Sequence, residues 1–102
     1  MKTNLNIEDL ERLSEIYKLF GSVPRLRILL QLNEGESVVG ELSKAAGLGQ
    51  SATSHQLKDL KQGRIIKSRK EGINVYYSLD DDHIVKMLEN GLEHIIGDHH
   101  DD

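Results

Sequence analysis

The sequence contains no cysteine, and this absence excludes disulfide bonds, thiolate metal sites and cysteine nucleophiles. No apolar run is long enough to span a bilayer, and the first residues, MKTNLNIEDLERL, lack the apolar core of a signal peptide. Internal repeats, low-complexity tracts and linkers are also missing. We therefore expect residues 1–102 to form one small cytoplasmic domain, which can complete its core by pairing with a second copy.

Charge is distributed unevenly along the chain. The 13 basic and 17 acidic residues give a net charge of −4, which by itself argues against a nucleic-acid partner. Residues 51–76, however, contain six basic residues and only two acidic ones, whereas residues 80–102 contain eight acidic residues and a single lysine. Because a local basic patch matters more for DNA binding than the total charge, the middle of the chain is a candidate DNA-binding surface.

Hydrophobic spacing predicts two helices in the first third of the chain. The first has Thr3 or Asn6 as its cap and carries apolar residues at three- and four-residue steps until Gly21 ends it. The second begins near the single proline, Pro24, a residue that favours the first helical turn, and it ends in the turn over residues 33–36.

Two shorter helices follow, joined by a tight turn that contains glycine. Ser37 is the expected cap of the first, over residues 38–46, and Gly47 is its expected stop. The second extends over residues 50–62. The expected inward side of this second helix consists of Ala52, Leu57 and Leu60, with His55 or Gln56 in part. Two short helices joined in this way form a helix-turn-helix.

The β-forming residues that come next predict a hairpin, with strands over 64–70 and 75–79 and a turn at 71–74. A basic hairpin directly after a helix-turn-helix is a wing. The last helix is expected from Asp81 to about Ile96, and its wide apolar face favours a dimer interface shared with the first helix. The predicted fold is mainly α with a small β-hairpin: a winged helix-turn-helix in the order α-α-α-α-β-β-α, forming a homodimer through its first and last helices.

The helix over residues 50–62 begins with an unusual polar face. Its first turns carry short donors and acceptors, namely Gln50, Ser51, Thr53, Ser54, His55 and Gln56. Such side chains at a helix N-terminus can reach base edges in the major groove, and basic residues beyond them can contact phosphates. The candidates for phosphate contacts are Lys58, Lys61, Lys67, Arg69 and Lys70. The alternative is an amphipathic helix with a capping cluster that does not bind DNA.

The stretch LGQSATSHQLKDLKQGRIIKSRKEGINVYYSLDD resembles the core of the ArsR/SmtB family of winged-helix, metal-responsive repressors, and LFGSVPRLRILLQL is similar to that family's LGDPTRLRIL segment. The resemblance covers nearly the whole chain. It departs at Ser22 and Val23, which replace Asp and Thr, and at Gly49, where relatives often have a capping Ser. The resemblance implies DNA contacts from Gln50, Ser51, Ser54 and His55, with Val39 near the groove.

Histidines are concentrated near the end of the chain. His83 and His94 are eleven residues apart, so on one helix they share a face but stand about 16 Å apart along the axis. They cannot bind one ion within one chain. If two copies of the last helix pair antiparallel, however, Asp81 and His83 of one chain approach His94 of the other, which gives two symmetric sites. The alternatives are an Asp-rich helix start that only stabilises the helix dipole, and a solvated polar end.

The zinc-sensing members of the family resemble this pattern, which reads Asp-x-His, ten residues, His, two residues, then His or Glu. Asp81, His83 and His94 match it, whereas the fourth position falls on Gly97, which has no ligating side chain. The candidates for a replacement ligand are Asp98, His99 and His100. Four nitrogen and oxygen ligands suit Zn(II), with Co(II) or Ni(II) as alternatives. A site closed by four side chains leaves no position for a catalytic water, so we do not expect an enzyme.

These features together predict a homodimeric, metal-responsive transcriptional repressor. The metal-free dimer is expected to bind an inverted-repeat operator in double-stranded DNA, and metal binding is expected to release it. By the family's pattern, the regulated genes include those for metal efflux or resistance. The alternative is a dimeric winged-helix regulator that responds to a non-metal signal, for which Gly97 is the evidence.

Overall fold

The computed structural model describes the backbone of residues 4–100 and the side chains of residues 4–97. Within these residues, five helices and one antiparallel hairpin follow each other in the predicted order. The elements are α1 (Ile7–Phe20), α2 (Val23–Glu34), α3 (Val39–Ala46), α4 (Gln50–Gln62), β1 (Ile66–Glu71), β2 (Asn74–Leu79) and α5 (Asp82–His100). The predicted class, mainly helical with a small hairpin, is confirmed.

The core is built around α2. The side chains of Ile28 and Leu29 are fully buried, and α2 contacts α1, α3, β2 and α5. The other apolar side chains of the core are Leu19, Leu32, Leu42, Ala46, Leu57, Leu60, Ile65, Ile66, Leu79, Ile84 and Leu88. Full burial of one Leu or Ile side chain contributes about 1.5–3 kcal/mol, so this cluster is the main source of stability.

Local hydrogen bonds fix the starts of the first two helices. The Oδ1 atom of Asn6 accepts the Asp9 backbone N–H at 2.9 Å, and the Asp9 carboxylate accepts the Asn6 N–H at 3.4 Å, which forms a capping box. Asn6 is therefore confirmed as the cap of α1, and the other candidate, Thr3, lies outside the described residues. The Ser22 hydroxyl caps α2 by accepting the Arg25 N–H at 3.4 Å.

The prediction that Ser37 caps α3 is wrong. Val38 occupies the cap position, and the Glu41 carboxylate accepts its N–H at 3.2 Å. Ser37 is buried and pairs instead with β2, because its N–H donates to the Tyr77 carbonyl oxygen at 3.1 Å and its own carbonyl oxygen accepts the Tyr77 N–H at 2.9 Å. These two backbone hydrogen bonds attach the hairpin to the segment that leads into α3.

The hairpin is shifted by a residue or two from its predicted bounds. β1 begins only at Ile66, because Arg64 has a positive φ of 60° and its N–H donates to the Lys61 carbonyl oxygen, which continues the turn at the end of α4. At the tip, Glu71 pairs with Asn74, which leaves a two-residue turn. Gly72 takes a φ of 63° there, a conformation that costs glycine nothing.

The last helix extends further than predicted. α5 begins at Asp82, one residue after its expected start, and remains helical to His100 rather than ending near Ile96. A single helical glycine such as Gly97 costs only about 1 kcal/mol relative to alanine, which does not by itself end a helix. None of the helices formed by residues 4–100 is both long and apolar enough to cross a membrane.

Gly63, just after α4, marks a tight contact in the core. A Cβ atom at this position would overlap the Cδ1 methyl of Leu19, which is itself buried. We therefore expect Gly63→Ala to lower the free energy of unfolding by about 1–3 kcal/mol, the usual cost of overpacking. Urea unfolding followed by circular dichroism, at one fixed protein concentration, measures this change.

Gly40→Ala is the matched control for this prediction. Gly40 lies in the first turn of α3, and apart from its neighbours in α3 itself no atom lies within 4 Å of an added Cβ. Alanine is a better helix former than glycine, so this variant is expected to be at least as stable as the wild type. Unchanged stability of Gly63→Ala would contradict the packing argument.

Candidate DNA interface and metal centre

α4 turns a different side toward the core than the sequence predicts. Its buried residues are Thr53, Leu57 and Leu60, whereas Ala52 is exposed. Leu57 and Leu60 are confirmed, but the prediction of Ala52 as inward and of Thr53 as part of the outer polar face is wrong. Thr53 can be buried because its hydroxyl donates a hydrogen bond to the Gly49 carbonyl oxygen at 2.9 Å.

The candidate base-reading residues of α4 lie on its solvent side. Gln50, Ser51, Ser54 and His55 are all exposed, and their one- and four-residue spacing places them on one helix face. The Nε2 atom of His55 is 3.8 Å from a carboxylate oxygen of Asp59, one turn later. An exposed face of short polar side chains fits the width of the major groove.

Two further residues expected on or near the DNA-binding surface make contacts inside the chain. Val39, at the start of α3, is half-buried and packs against the core. Gln56 accepts a hydrogen bond at its Oε1 atom from Arg25 Nε at 2.7 Å, which ties α4 to the start of α2. Sequence reasoning missed Arg25 because 31 residues separate the two partners. The side-chain oxygen of Gln56 is therefore occupied within the chain, and only part of Val39 is open to solvent.

The lysines after the polar face differ in their surroundings. Lys58, Lys67 and Lys70 are exposed. Lys61 donates a hydrogen bond from Nζ to the Ser68 hydroxyl at 2.7 Å and so connects α4 with β1. Because strand residues alternate between faces, Lys67 and Lys70 project from opposite sides of the hairpin.

The Arg69 guanidinium donates hydrogen bonds to two carboxylates. Its Nε and Nη2 atoms each donate to one carboxylate oxygen of Glu36 at 2.8 Å, and its Nη1 donates to Glu71 at 3.0 Å. The guanidinium carbon lies 4.7 Å from the centre of the Tyr76 ring. The hydrogen bonds to Glu36 and Glu71 raise the pKa of Arg69, and the same bond to Arg69 lowers the pKa of Glu36. No local pattern indicates Glu36, because it lies 33 residues before Arg69.

Asp81 and His83 lie together at the start of α5. One oxygen of Asp81 accepts the Ile84 N–H at 3.1 Å, and the other is 3.5 Å from the Nδ1 atom of His83. The hydrogen bond from Ile84, assisted by the one from His83, lowers the pKa of Asp81. Its carboxylate is ionised at neutral pH, as aspartates ordinarily are. The two side chains are 51% and 91% exposed. An ionised carboxylate beside an accessible imidazole is a suitable pair of metal ligands.

His94 is exposed in the second half of the same helix. Because α5 is continuous between them, His83 and His94 stay about 16 Å apart along the axis and cannot meet within one chain. Among the described side chains of a single chain, no group of three His, Asp or Glu residues could hold an ion. A site that uses both histidines therefore requires two chains. The candidate fourth ligands Asp98, His99 and His100 lie outside the described side chains.

An apolar surface on α1 and α5 is left uncovered in the single chain. Of the residues of α1, all of them described, Leu19 alone is buried. In the second half of α5, Ile95 and Ile96 are 58% and 51% exposed. Between α2 and α5, next to the last residue of α1, lies an apolar groove of about 260 Å³, lined by Phe20, Leu26, Leu30, Met87, Leu88, Gly91, Leu92 and Ile95. A continuous apolar surface of this kind marks a protein interface.

An exposed polar helix that is preceded by a tight turn and followed by a basic hairpin defines the winged helix-turn-helix class of DNA-binding proteins. A family model described as bacterial regulatory protein, arsR family, matches residues 22–68, which include α2, α3 and α4. The chain belongs to this family. It is a DNA-binding transcriptional regulator and not an enzyme.

Curated relatives align over most of the chain. A transcriptional repressor SmtB homolog from Synechocystis is 32% identical over 91 residues, which cover 89% of this chain and 69% of that protein. A cadmium resistance regulatory protein CadC homolog from Staphylococcus aureus is 35% identical, over 79% of this chain and 68% of its own length. The transcriptional activator HlyU from Vibrio cholerae is 34% identical, with corresponding shares of 83% and 82%.

A solved structure supports the same assignment. The homodimeric winged helix-turn-helix DNA-binding domain of a possible ArsR-family regulator from Mycobacterium bovis superimposes with a TM-score of 0.81 at 25% identity. The match covers 97% of this chain and 90% of that one. The winged helix-turn-helix fold predicted from the sequence is therefore confirmed.

The exposed apolar surface leads to a prediction about assembly. If α5 lies in a dimer interface, Ile95→Glu places a charge in an apolar contact, and the dimer dissociation constant should rise about 30-fold or more, equivalent to about 2 kcal/mol. Sedimentation equilibrium measures this constant. Ile73→Glu is the control, because Ile73 is 96% exposed at the hairpin tip and should leave the mass unchanged. A dimer that survives Ile95→Glu at wild-type strength would rule out pairing through this part of α5.

Proposed function

We propose that the protein is a homodimeric repressor that releases its operator when a metal ion, Zn(II) foremost, binds between its two α5 helices. The observation that carries this proposal is the position of the ligands on α5. Asp81 and His83 lie together at one end, and His94 lies three turns away among side chains that are exposed in the single chain. A helix with ligands at both ends suits an antiparallel pair with one metal site at each end.

The donor chemistry supports Zn(II) as the signal. Asp81, His83 and His94 supply one carboxylate oxygen and two imidazole nitrogens, and the chain has no thiolate that would attract a softer ion. The fourth ligand is proposed to come from Asp98, His99 or His100. One of these completes a tetrahedral site, whereas several together favour Co(II) or Ni(II). The similarity to a cadmium resistance regulator further supports a metal ion as the signal.

The DNA contacts are proposed to come from α4 and the wing. The proposed base contacts are Gln50, Ser51, Ser54 and His55, with Val39 at the edge of the groove. Lys67 and Lys70, exposed on the wing, contact phosphates and set the orientation of the protein on the duplex. A dimer with two-fold symmetry reads an inverted repeat whose half-sites are about one helical turn apart.

Metal and DNA are proposed to favour different arrangements of the two subunits. A metal ion then lowers DNA affinity by the ratio of its own affinities for the two arrangements, and DNA weakens metal binding by the same factor. A typical coupling of this kind is about 5- to 150-fold. By the pattern of the family, the controlled genes are proposed to serve metal efflux or resistance.

A second candidate is a dimeric winged-helix regulator that responds to a non-metal signal. Gly97 favours it, because this glycine occupies the position of the fourth ligand. The relative HlyU also favours it, since its name refers to transcriptional activation and not to a metal. Zinc titration of the dialysed protein against a chromophoric chelator separates the two candidates, because the second predicts no competition for the metal.

DNA binding itself is tested by fluorescence anisotropy with a duplex that the wild-type protein has selected from a randomised pool. We expect affinity to fall steeply with salt, because phosphate contacts release counterions. Ser54→Ala should weaken binding to the selected duplex by about 2- to 12-fold, equivalent to one hydrogen bond, and leave binding to random duplex unchanged. Ser14→Ala, on the exposed side of α1, is the control. If the affinity for the selected duplex changes neither with salt concentration nor in Ser54→Ala, the DNA contacts proposed for α4 are wrong.

The metal site is tested with His83→Ala and His94→Ala. Each variant should bind the selected duplex as the wild type does without metal, and each should fail to release it when zinc is added. His55→Ala is the control with the opposite pattern, because it should weaken DNA binding and retain zinc affinity. Zinc-driven release that persists in both His83→Ala and His94→Ala would refute the proposed ligands.

Mixing the two variants tests whether the site is shared between chains. A mixed dimer pairs the intact His83 of one chain with the intact His94 of the other, so it regains one site. After random re-pairing, about one quarter of the wild-type zinc sites should return, because half of the dimers are mixed and each keeps one of two sites. A site within one chain predicts no recovery at all.

A further inference from the structure

The outer face of the wing carries charged residues that the proposed DNA contacts leave unexplained. The pairing of Arg69 with Tyr76 places these two side chains on one face of the hairpin, while Ile66 and Leu79 on the other face are buried in the core. The bidentate hydrogen bond between Arg69 and Glu36 brings the Glu36 carboxylate, which lies outside the hairpin in sequence, onto the same outer face. We term this group the Arg69 cluster, and it consists of Glu36, Arg69, Glu71 and Tyr76.

The cluster is poorly suited to attract a phosphate. Its two carboxylates and one guanidinium carry a net charge of −1, so the basic character that Arg69 gives to the sequence is cancelled on the folded surface. Three of the guanidinium nitrogens already donate to carboxylate oxygens, and one guanidinium face is covered by the Tyr76 ring. A phosphate could bind Arg69 only by displacing a carboxylate or by lying next to one.

The cluster is well placed to hold the wing. Glu36 directly precedes Ser37, whose backbone exchanges two hydrogen bonds with Tyr77. Arg69 lies on the neighbouring strand, β1, and its bidentate hydrogen bond to Glu36 adds a side-chain contact next to this backbone pairing. We term this place, where the segment before α3 meets the hairpin, the joint. Bidentate pairing fixes both distance and orientation, which a single contact between flexible side chains does not. The wing is thus attached to the helix-turn-helix by backbone and side-chain contacts at one place.

We propose that Arg69 is a positioning residue, which holds the wing against the segment entering α3, and that phosphate contacts on the wing come from Lys67 and Lys70 instead. The inference rests on the proposed DNA-binding role of α4 and the wing. It also means that Glu36 supports DNA binding by holding Arg69, although a carboxylate near DNA by itself repels the phosphates and weakens binding.

The two roles of Arg69 predict opposite effects of Glu36→Gln. If Arg69 positions the wing, this variant binds the selected duplex about two- to fivefold more weakly than the wild type, although it has lost a negative charge. The slope of affinity against salt then stays unchanged, since no phosphate contact is gained or lost. Glu34→Gln is the control: it removes the same charge two residues earlier, where no side-chain bond is found among the described residues, and should bind at least as tightly as the wild type.

The opposite result would overturn the proposal. In that result, Glu36→Gln binds the duplex at least as tightly as Glu34→Gln, and its affinity falls more steeply with salt by the equivalent of about one phosphate contact. Arg69 is then a phosphate ligand that Glu36 holds away from the DNA. Arg69→Lys gives a second comparison, because lysine keeps the charge but cannot form the bidentate hydrogen bond. We expect it to bind as weakly as Glu36→Gln, and the double variant to be no weaker than either. Wild-type binding by Arg69→Lys contradicts the positioning role.

A measurement without DNA keeps this inference separate from the proposed function. Loosening of the joint should speed hydrogen exchange of the Ser37 and Tyr77 amides in Glu36→Gln and Arg69→Lys, but not in Glu34→Gln. Unchanged exchange in both variants overturns the positioning role even if DNA binding is intact. If the wild-type protein fails to bind any duplex, the proposed function fails, and faster exchange would still support the attachment of the wing by Arg69.

Discussion

The burial of α2 is the constraint on which the other elements depend. The side chains of Ile28 and Leu29 are fully buried, and this one helix contacts α1, α3, β2 and α5. A chain of this length buries a smaller share of its surface than a large domain does, and one central helix does not cover the whole apolar face of each neighbour. α3 and β2 are short, and α2 together with α4 and β1 covers their apolar sides. α1 and the second half of α5 are only partly covered, and most of their apolar residues remain on the surface.

The total charge hides a basic wing that is followed directly by an acidic segment. The exposed Lys67 and Lys70 lie on the wing, whereas three consecutive aspartates, Asp80 to Asp82, connect the end of β2 to the start of α5. Fields of exposed charges decay within about 8 Å at physiological salt, so each charge acts mainly on what lies next to it. A phosphate next to the wing lysines experiences their local charge more strongly than the total charge of the chain. A net negative charge is therefore compatible with DNA binding.

The elements of the fold could be predicted from the sequence, but the roles of several polar residues could not. Apolar spacing identifies helices because burial has the period of the helix. A hydroxyl group has no such constraint: it can cap a helix, contact DNA or bond to the nearby backbone, and Ser37 and Thr53 both adopt a role other than the expected one. Arg69 and Arg25 could not be assigned either, because their partners Glu36 and Gln56 are distant in sequence.

The proposed control of DNA by metal has a short physical route through this fold. Asp81 directly follows Asp80, whose N–H donates to the Ile65 carbonyl oxygen at 3.0 Å. The Ile65 N–H in turn donates to the Leu60 carbonyl oxygen in the last turn of α4 at 2.9 Å. Two backbone hydrogen bonds therefore connect the segment that carries Asp81 to the end of α4. In the proposed mechanism, a metal ion that draws Asp81 toward the partner's α5 would act on this connection and so couple the position of α4 to the arrangement of the two subunits. For His94, which lies among exposed side chains further along α5, no such connection to α4 is found among the described residues.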